Sequence, residues 1–328
     1  METRTLGSTG LRVSALGFGC GAVGGLMVRG DRQAQVRGVA RALEAGITYF
    51  DTAPSYGDGA SERNLGSALR ELGATQQVVV GTKVRLTAAE VQRPAAAVRR
   101  SVEESLGRLR LDRVDVLHLH NPVGVDTGSA VDPGLPEQGV LDGIAGALRQ
   151  TVEDGLAGHV GFTAVGATGA LHRVAVHDAY ETAQVYLNVL NPSAVRPGAS
   201  GGQQDFDGLA GHAAEHGTGV IAIRVYAAGA LSGAPERHPI AFLPPRPLIP
   251  GSEYGDDVER ARRLAHVAAE QDLESVLELG LRFALTVPAV STALVGLSSP
   301  EHLESAIRWA ERGPLPGDLF DRLLAAAA

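Results

Sequence analysis

Eight short apolar runs alternate with segments of helical periodicity along most of the chain, and this alternation limits the fold more than any other feature. Several of the runs are almost continuously hydrophobic, which is typical of parallel strands that are buried on both faces. The predicted strands are Ala15–Phe18, Thr48–Asp51, Val78–Lys83, Asp115–His120, His159–Thr163, Thr182–Tyr186, Thr218–Arg224 and Thr292–Val295. The predicted helices are residues 31–45, 61–72, 93–109, 139–156, 166–177, 205–215, 258–285 (as two helices) and 300–312. This order predicts an α/β fold, the (β/α)8 TIM barrel, with residues 1–328 as a single domain.

Three further segments complete the predicted architecture. Residues 3–14 are expected to form an N-terminal β-hairpin with its turn at residues 7–10. Two long loops follow the fourth and seventh strands, at Asn121–Gly139 and at the proline-rich Ala227–Asp257. Both loops leave the carboxyl ends of strands, where the active sites of barrels lie, so we expect them to cover the substrate pocket.

Composition narrows the classes of function. Lys and Arg number 29 against 37 Asp and Glu, and the formal net charge of −8 argues against nucleic-acid and membrane-surface partners. The single cysteine, Cys20, excludes an internal disulfide framework and fits a reducing compartment. No signal peptide and no run of about 20 apolar residues is found, so a cytoplasmic location is expected. The oligomeric state is left open.

Four chemically distinctive residues fall at or just beyond the ends of consecutive predicted strands. Asp51 ends the second strand and Tyr56 follows it, while Lys83 ends the third strand and His120 the fourth. Reduction of a carbonyl needs a proton donor for the developing alkoxide, and a phenol near an ammonium can serve because the ammonium favours the phenolate. Asp51 would hold Lys83, and His120 would orient the carbonyl by a hydrogen bond. Each residue alone has an ordinary structural explanation, but four at neighbouring strand ends indicate a catalytic site.

The motifs around these residues carry a family resemblance. The run Tyr49–Gly57 with its continuation Gly59–Gly66, the run Gly81–Lys83 and the run Val114–Pro122 resemble the aldo-keto reductase superfamily, especially its bacterial branch similar to aldose and galactose dehydrogenases. The resemblance implies an NAD(P)(H)-dependent oxidoreductase that interconverts an aldehyde or ketone, or a sugar hemiacetal and lactone, with its alcohol. It implies Tyr56 as the general acid and base.

The same resemblance implies a cofactor site along the later strand ends. Two positions depart from the family pattern: Ala164 stands where many relatives have Asn, and Ile223 where an aromatic ring often stacks on the nicotinamide. The stretch 294–306 has no Lys or Arg for a 2′-phosphate, which leaves NADP(H) as the first expectation and NAD(H) as the second. The implied cofactor residues are Gly19, Cys20, Thr163, Gln184, Ile223, Arg224, Tyr226, Gly229, Gly296, Ser298 and His302.

The run Gly19–Gly24 has the formal spacing G-x-G-x-x-G of a Rossmann dinucleotide site. In that motif the helix begins at the glycines, whereas here six residues intervene before the helical pattern begins. We therefore interpret these glycines as allowing the first strand end to approach the nicotinamide or the substrate closely.

Two other functions compete. His118 and His120 have the spacing of two metal ligands on one strand face, which suggests a metal-dependent hydrolase on the same fold. Such enzymes usually place this pair on the first strand, so His118 is predicted to be a buried, hydrogen-bonded histidine, and no metal site is predicted. The second alternative is a reductase-like barrel that senses a nucleotide without catalysis.

Overall fold

The computed structural model describes residues 1–241, 249 and 251–327. Strands β1 (Thr3–Thr5) and β2 (Arg12–Ser14) form the predicted antiparallel hairpin. Its residues Leu6 and Val13 are fully buried at the amino-terminal end of the barrel strands. Gly7 lies so close to β-strand backbone there that a Cβ would sit 2.2 Å from the nitrogen of Gly219. The hairpin therefore closes this end of the barrel and leaves the carboxyl ends of the strands for the site.

The remaining eight strands form a closed parallel barrel, in which each strand pairs with its neighbours in chain order and the last pairs with the first. They are β3 (Leu16–Gly19), β4 (Tyr49–Asp51), β5 (Val79–Val84), β6 (Val114–Leu119), β7 (Ala157–Thr163), β8 (Thr182–Tyr186), β9 (Gly219–Ile223) and β10 (Val290–Gly296). The predicted (β/α)8 barrel is confirmed. A closed barrel has no Rossmann unit, so the interpretation of Gly19–Gly24 as a false fingerprint is also correct.

Helices surround the barrel at most of the predicted places. They are α1 (Leu26–Arg29), α2 (Arg32–Glu44), α3 (Ala60–Glu71), α4 (Pro94–Leu109), α5 (Glu137–Gly139), α6 (Ala145–Glu153), α7 (Thr168–Ala175), α8 (Leu209–Glu215), α9 (Tyr254–Arg262), α10 (Ala265–Glu270), α11 (Val276–Thr286), α12 (Pro300–Glu311) and α13 (Gly317–Ala326). In the part of the chain that the structure describes, no helix could span a membrane.

The sequence misjudged three helical segments. The two helices predicted over 258–285 are three in the structure, α9, α10 and α11. The break between α10 and α11 lies where Asp272 adopts a left-handed φ of +50° and Ser275 caps a new helix by accepting from the backbone of Glu278. Helices α1 and α13 were not predicted. Helix α1 is a single turn, and α13 follows α12, after the last of the eight βα units.

The two long loops leave the carboxyl ends of β6 and β9 as predicted. The first is fixed by a bridge between Val123 and Leu135 before helical structure begins at α5. The second starts with a 3-10 turn at Ala227–Ser232 and continues to α9. Of its prolines, Pro244, Pro245, Pro247 and Pro250 lie outside the described residues.

Candidate active site

A cavity of about 860 Å³ opens at the carboxyl ends of the barrel strands. Its wall runs from Asp51, Tyr56 and His120 to Ser305 and Trp309 on α12. Residues from both long loops contribute to the wall, as the sequence predicted. The predicted cofactor residues that line it are Gly19, Thr163, Gln184, Ile223, Arg224, Tyr226, Gly229, Gly296, Ser298 and His302.

An ion pair lies under one end of this cavity. The register of the barrel pairs Asp51 with Gly81, two residues before Lys83, so both charged side chains leave the same barrel end. Lys83 is 1% exposed, and its Nζ donates to Asp51 Oδ2 at 2.5 Å and to the carbonyl of Thr52 at 2.8 Å. The second carboxylate oxygen, Oδ1, accepts from Gln184 Nε2 at 2.5 Å. Asp51 is thus held from two sides.

Asp51 and Lys83 each oppose the effect of burial on the pKa of the other. Burial favours neutral Lys83, but Asp51 and the phenolate form of Tyr56 together outweigh burial, and the pKa of Lys83 is raised. Burial raises the pKa of Asp51, while Lys83 and the hydrogen bond from Gln184 oppose the rise. An ammonium group is therefore present beneath the cavity at neutral pH.

Tyr56 projects into the cavity from the turn after β4. Gly57 shapes this turn with a φ of +64°, and a Cβ at this position would lie 2.4 Å from Val28. The Tyr56 ring meets the His120 ring edge-on, with centroids 6.0 Å apart. Lys83 Nζ lies 4.8 Å from the centroid of the Tyr56 ring. The structure thus brings all four residues of the predicted tetrad together.

The net pKa shift of Tyr56 differs from the simplest expectation. Burial raises the pKa of its phenol, and the charge of Lys83 opposes that rise without cancelling it. The effect of Lys83 has the predicted direction, but desolvation outweighs it. The phenol is consequently protonated at neutral pH, which is the form that an acid needs.

His118 lies on β6 and His120 directly follows this strand, and the two side chains have different surroundings. Burial first, and then the charges of Lys83 and Arg85, hold the pKa of His120 well below its usual value, so its ring is a neutral donor in the cavity wall. His118 is fully buried one layer deeper, where Nε2 lies 3.0 Å from Thr182 Oγ1. Burial lowers the pKa of His118 to about 3. The prediction of a buried, hydrogen-bonded His118 is confirmed.

The metal-hydrolase alternative needs a cluster of ligands. Within residues 1–241, 249 and 251–327, no group of three or more His, Cys, Asp or Glu is arranged to hold a metal ion. His118 is moreover already engaged with Thr182. The donor set of the site thus favours proton transfer over metal binding.

The residues after Tyr56 hold the strand ends in position, a role that the sequence analysis missed. Ser61 Oγ lies 2.8 Å from Thr52 Oγ1 and donates to the carbonyl of Cys20. Glu62 is fully buried and accepts from Thr82 Oγ1 at 2.6 Å and from Arg108 Nε at 2.5 Å. These bonds tie α3 to β3, β4 and β5. The sequence feature that could have indicated this role is Glu62, an acidic residue at a buried position of α3.

Of the predicted cofactor residues, Cys20 does not line the cavity. Its side chain is 1% exposed and lies outside the cavity wall, with the thiol 4.0 Å from the carbonyl of Phe18. Gly19 and Cys20 are neighbours at a strand end, where successive side chains point to opposite faces. Only Gly19 therefore faces the cavity.

The glycines after β3 have two uses. A Cβ at Gly24 would lie 2.3 Å from the backbone nitrogen of Leu297, so this glycine allows two loops to pack together. A Cβ at Gly21 would lie 3.6 Å from the Tyr56 ring. Close approach to the site is thus real at Gly21, whereas Gly24 serves packing.

The middle of the cavity presents cationic and unpaired polar groups. Arg224 has a φ of +60°, and its guanidinium lies 5.6 Å from the Tyr186 ring centroid. Arg237, which the sequence analysis missed, donates to the carbonyls of Val23 and Ala228. Tyr226 Oη and Arg237 Nε are buried without a hydrogen-bond partner among the described residues. Unpaired buried donors beside two arginines fit an anionic, oxygen-rich ligand such as a pyrophosphate.

The far end of the cavity is built differently. Ser299 caps α12 by accepting from the backbone of His302, and Ser298 Oγ donates to the carbonyl of Gly24 at 2.7 Å. The His302 ring faces the His238 ring with centroids 5.9 Å apart. The N-terminus of α12 can attract an anionic group, but burial lowers the pKa of His302, so this ring adds little positive charge at neutral pH.

Comparison with known proteins agrees with this geometry. L-galactose dehydrogenase of Arabidopsis thaliana is 30% identical to this chain over 320 residues, covering 94% of this chain and 87% of that protein. D-threo-aldose 1-dehydrogenase of a Pseudomonas species is 26% identical over 333 residues, covering 92% and 91%. The holo form of an aldo-keto reductase from Bacillus halodurans has the same fold, with a TM-score of 0.74 at 23% identity over 100% of this chain and 96% of that one.

A profile of the Aldo/keto reductase family matches residues 15–328, which is almost the whole chain. The match includes all eight barrel strands and every side chain of the site described above. The chain therefore belongs to the aldo/keto reductase family and is an NAD(P)-dependent oxidoreductase.

Proposed function

We propose that this protein interconverts an aldehyde or ketone, or the hemiacetal and lactone forms of a sugar, with the corresponding alcohol, and that Tyr56 is the general acid and base. The observation that carries the proposal is the meeting of Tyr56, Lys83, Asp51 and His120 at one cavity end. The coupling of a protonated phenol to a buried ammonium supports proton transfer to an alkoxide.

Each residue has a distinct part in the reduction. When bound, a reduced nicotinamide would supply the hydride for the carbonyl carbon. The neutral ring of His120 donates a hydrogen bond to the carbonyl oxygen and fixes its position. Tyr56 Oη then gives its proton to the same oxygen, and the alcohol leaves while the ammonium of Lys83 stabilises the phenolate. Asp51 acts through Lys83 as a positioning residue.

The cofactor site would follow the wall of the cavity. Thr163 and Gln184 would hold the nicotinamide amide, Arg224, Tyr226 and Gly229 the pyrophosphate, and Gly296, Ser298 and His302 the adenosine end. Gln184 is already linked to Asp51 and to Thr163 Oγ1 at 3.3 Å, so it would join the cofactor to the tetrad. We propose NADP(H) as the preferred nucleotide, with NAD(H) as the alternative.

The substrate class rests on the relatives. Both relatives aligned over most of their length are named dehydrogenases of sugars, L-galactose and D-threo-aldoses. We propose a sugar or sugar-like aldehyde as the substrate here.

The substitution Tyr56→Phe tests the mechanism. It removes only the hydroxyl, so kcat for aldehyde reduction is expected to fall by about 10²- to 10⁴-fold, the usual contribution of a general acid. Nucleotide binding is expected to stay within about twofold of the wild-type value, measured by fluorescence of Trp309, the single tryptophan and part of the cavity wall.

Two results would count against the proposal. Undiminished turnover in the Tyr56→Phe variant would remove Tyr56 as the acid. Tight nucleotide binding by the wild-type protein without turnover of any aldehyde, ketone or sugar would favour the nucleotide-sensing alternative.

A further inference from the structure

A second ion pair lies in the cavity wall outside the tetrad. Arg85 follows the end of β5 two residues after Lys83, and Asp132 belongs to the loop after β6. Arg85 Nε and Asp132 Oδ1 are 3.2 Å apart, and both side chains are about one-third exposed or less, at 33% and 26%. The pair is thus accessible from the cavity.

The pair is held by a built framework. Asn121 is fully buried; its Oδ1 accepts from the backbone nitrogen of Leu86 at 2.8 Å, and its Nδ2 donates to the carbonyls of Leu86 and Pro133. One side chain therefore fixes the residue after Arg85 and the residue after Asp132. This arrangement sets the spacing of the pair before any substrate arrives.

The loop side of the pair is fixed independently. Thr127 Oγ1 donates to the carbonyl of Asp132 at 2.8 Å, and the nitrogen of Asp132 donates to Ser129 Oγ at 3.1 Å. The nitrogen of Ala88 also donates to the carbonyl of Ala130, which joins the two segments again. Such bracing is more than an incidental surface ion pair requires.

The pair lies near the reacting end of the cavity. The charge of Arg85 contributes to the lowered pKa of His120, after burial and Lys83. Arg85, His120 and Tyr56 line the same wall. A substrate whose carbonyl meets Tyr56 and His120 would share this cavity with Arg85 and Asp132.

The pair also retains unused hydrogen-bonding capacity. Arg85 Nε and Asp132 Oδ1 are buried against each other without a hydrogen bond. A ligand would therefore reach the pair through its other polar atoms, the Nη atoms of Arg85 and Oδ2 of Asp132. A guanidinium only donates and a carboxylate only accepts, whereas a hydroxyl does both. Two adjacent hydroxyl groups can therefore satisfy both sides at once. An anionic group would be repelled by Asp132 and an amine by Arg85, so a neutral polyol is the favoured ligand.

We propose that Arg85 and Asp132 form a diol-recognition site that selects polyhydroxylated aldehydes, with Asn121 as its positioning residue. This inference rests on the proposed function and narrows its substrate to neutral, hydroxylated compounds. Hydrogen bonds to charged groups are the stronger ones, so the pair would contribute substantially to specificity.

Glyceraldehyde and propanal provide a matched pair of substrates, because they differ only in two hydroxyl groups. The ratio of their kcat/KM values is measured for the wild type and for the variants Arg85→Met and Asp132→Asn. In each variant the ratio is expected to fall by about 10- to 100-fold, because glyceraldehyde activity falls by more than propanal activity does. Since each variant is compared with the wild type, hydration of the two aldehydes in solution cancels.

Two controls separate specificity from general damage. Arg32→Met removes a surface arginine that pairs with Glu71 away from the cavity, and its ratio is expected to equal that of the wild type. Trp309 fluorescence should report unchanged nucleotide binding in every variant. In Asn121→Ala, which frees both segments, the ratio is expected to fall as in the pair variants.

The outcomes are distinguishable. If the wild type turns over propanal and both pair variants lose the two activities equally, or lose neither, the diol site is overturned while the oxidoreductase function stands. If the wild type turns over neither aldehyde nor any sugar, the proposed function fails and the diol site fails with it.

Discussion

The two ends of the cavity are built on different principles. At the end proposed to hold the nicotinamide, Asp51 and Lys83 come from strand ends and are fixed by hydrogen bonds to Thr52 and Gln184. At the end proposed to hold the adenosine, His302 lies on α12 and faces an imidazole from the loop after β9. Proton transfer requires reacting atoms at hydrogen-bond distance, whereas nucleotide affinity tolerates several arrangements of weak contacts. The buried charged hydrogen bonds are therefore concentrated at the end of the cavity where the chemistry is proposed.

The substitution Lys83→Met should disturb the nicotinamide end most. It removes the ammonium that favours phenolate at Tyr56, so the pH profile of alcohol oxidation is expected to move to higher pH and kcat at pH 7 to fall by about 10²-fold or more. Removing one partner of a buried ion pair should also lower the free energy of unfolding by about 3–5 kcal/mol. An unshifted pH profile would contradict the role given to Lys83.

The sign of the accompanying pH effect follows from Asp51. Burial raises the pKa of Asp51 in the folded state, and loss of Lys83 removes the main opposing effect. The unfolded chain then releases its proton at a lower pH than the folded protein, near about 4. The stability deficit of Lys83→Met should therefore grow as the pH rises above that value. The double variant Lys83→Met with Asp51→Asn should regain stability but not activity, which separates the two roles.

A smaller effect is expected at Gln184, the residue shared by the tetrad and the cofactor wall. In Gln184→Met, Asp51 Oδ1 loses a buried charged hydrogen bond, and the free energy of unfolding should fall by about 1.5–3 kcal/mol. Thr163→Val is the matched control, since it removes a partner of Gln184 without touching Asp51, and should cost about 1 kcal/mol or less. Chemical denaturation measures both. Equal losses in the two variants would mean that the bond to Asp51 does not stabilise the site.

The nicotinamide end could be predicted from the sequence because its residues sit at consecutive strand ends. Asp51, Lys83 and His120 end or follow strands that a parallel barrel must place side by side. The bond from Gln184 to Asp51 could not be predicted, since it crosses the barrel between β8 and β4 and depends on side-chain rotamers. The fold determines which strands are neighbours in the sheet, whereas contacts across the barrel axis depend on how the side chains pack.

Loop geometry explains the other omissions. Arg237 reaches Val23 across the cavity from a segment without regular structure, and no periodic pattern places such a contact. The buried Glu62 could have been noticed, because an acidic residue on the apolar side of α3 demands partners. Cys20 directly follows the last residue of β3, and the alternation of side chains along a strand turns its thiol away from the cavity.

The smallest effect is expected at the adenosine end. Burial and the neighbouring His238 lower the pKa of His302, so its ring is neutral at pH 7.5 and we expect it to bind a 2′-phosphate weakly. In His302→Ala, the affinity for NADP⁺ should fall by less than about fivefold at pH 7.5, with no change for NAD⁺. The loss should increase at pH 5.5, where a larger fraction of His302 carries a proton. Both dissociation constants are measured by Trp309 fluorescence.

A comparison with wild type at each pH removes the titration of the nucleotide phosphate itself. His216→Ala, at the end of α8 and away from the cavity, is the control and should bind both nucleotides as the wild type does. An equal loss for NADP⁺ and NAD⁺ in His302→Ala would assign His302 to the adenosine rather than to its 2′-phosphate. A loss of 100-fold or more would reverse the comparison between the two ends, because the adenosine end would then hold its ligand by one dominant contact.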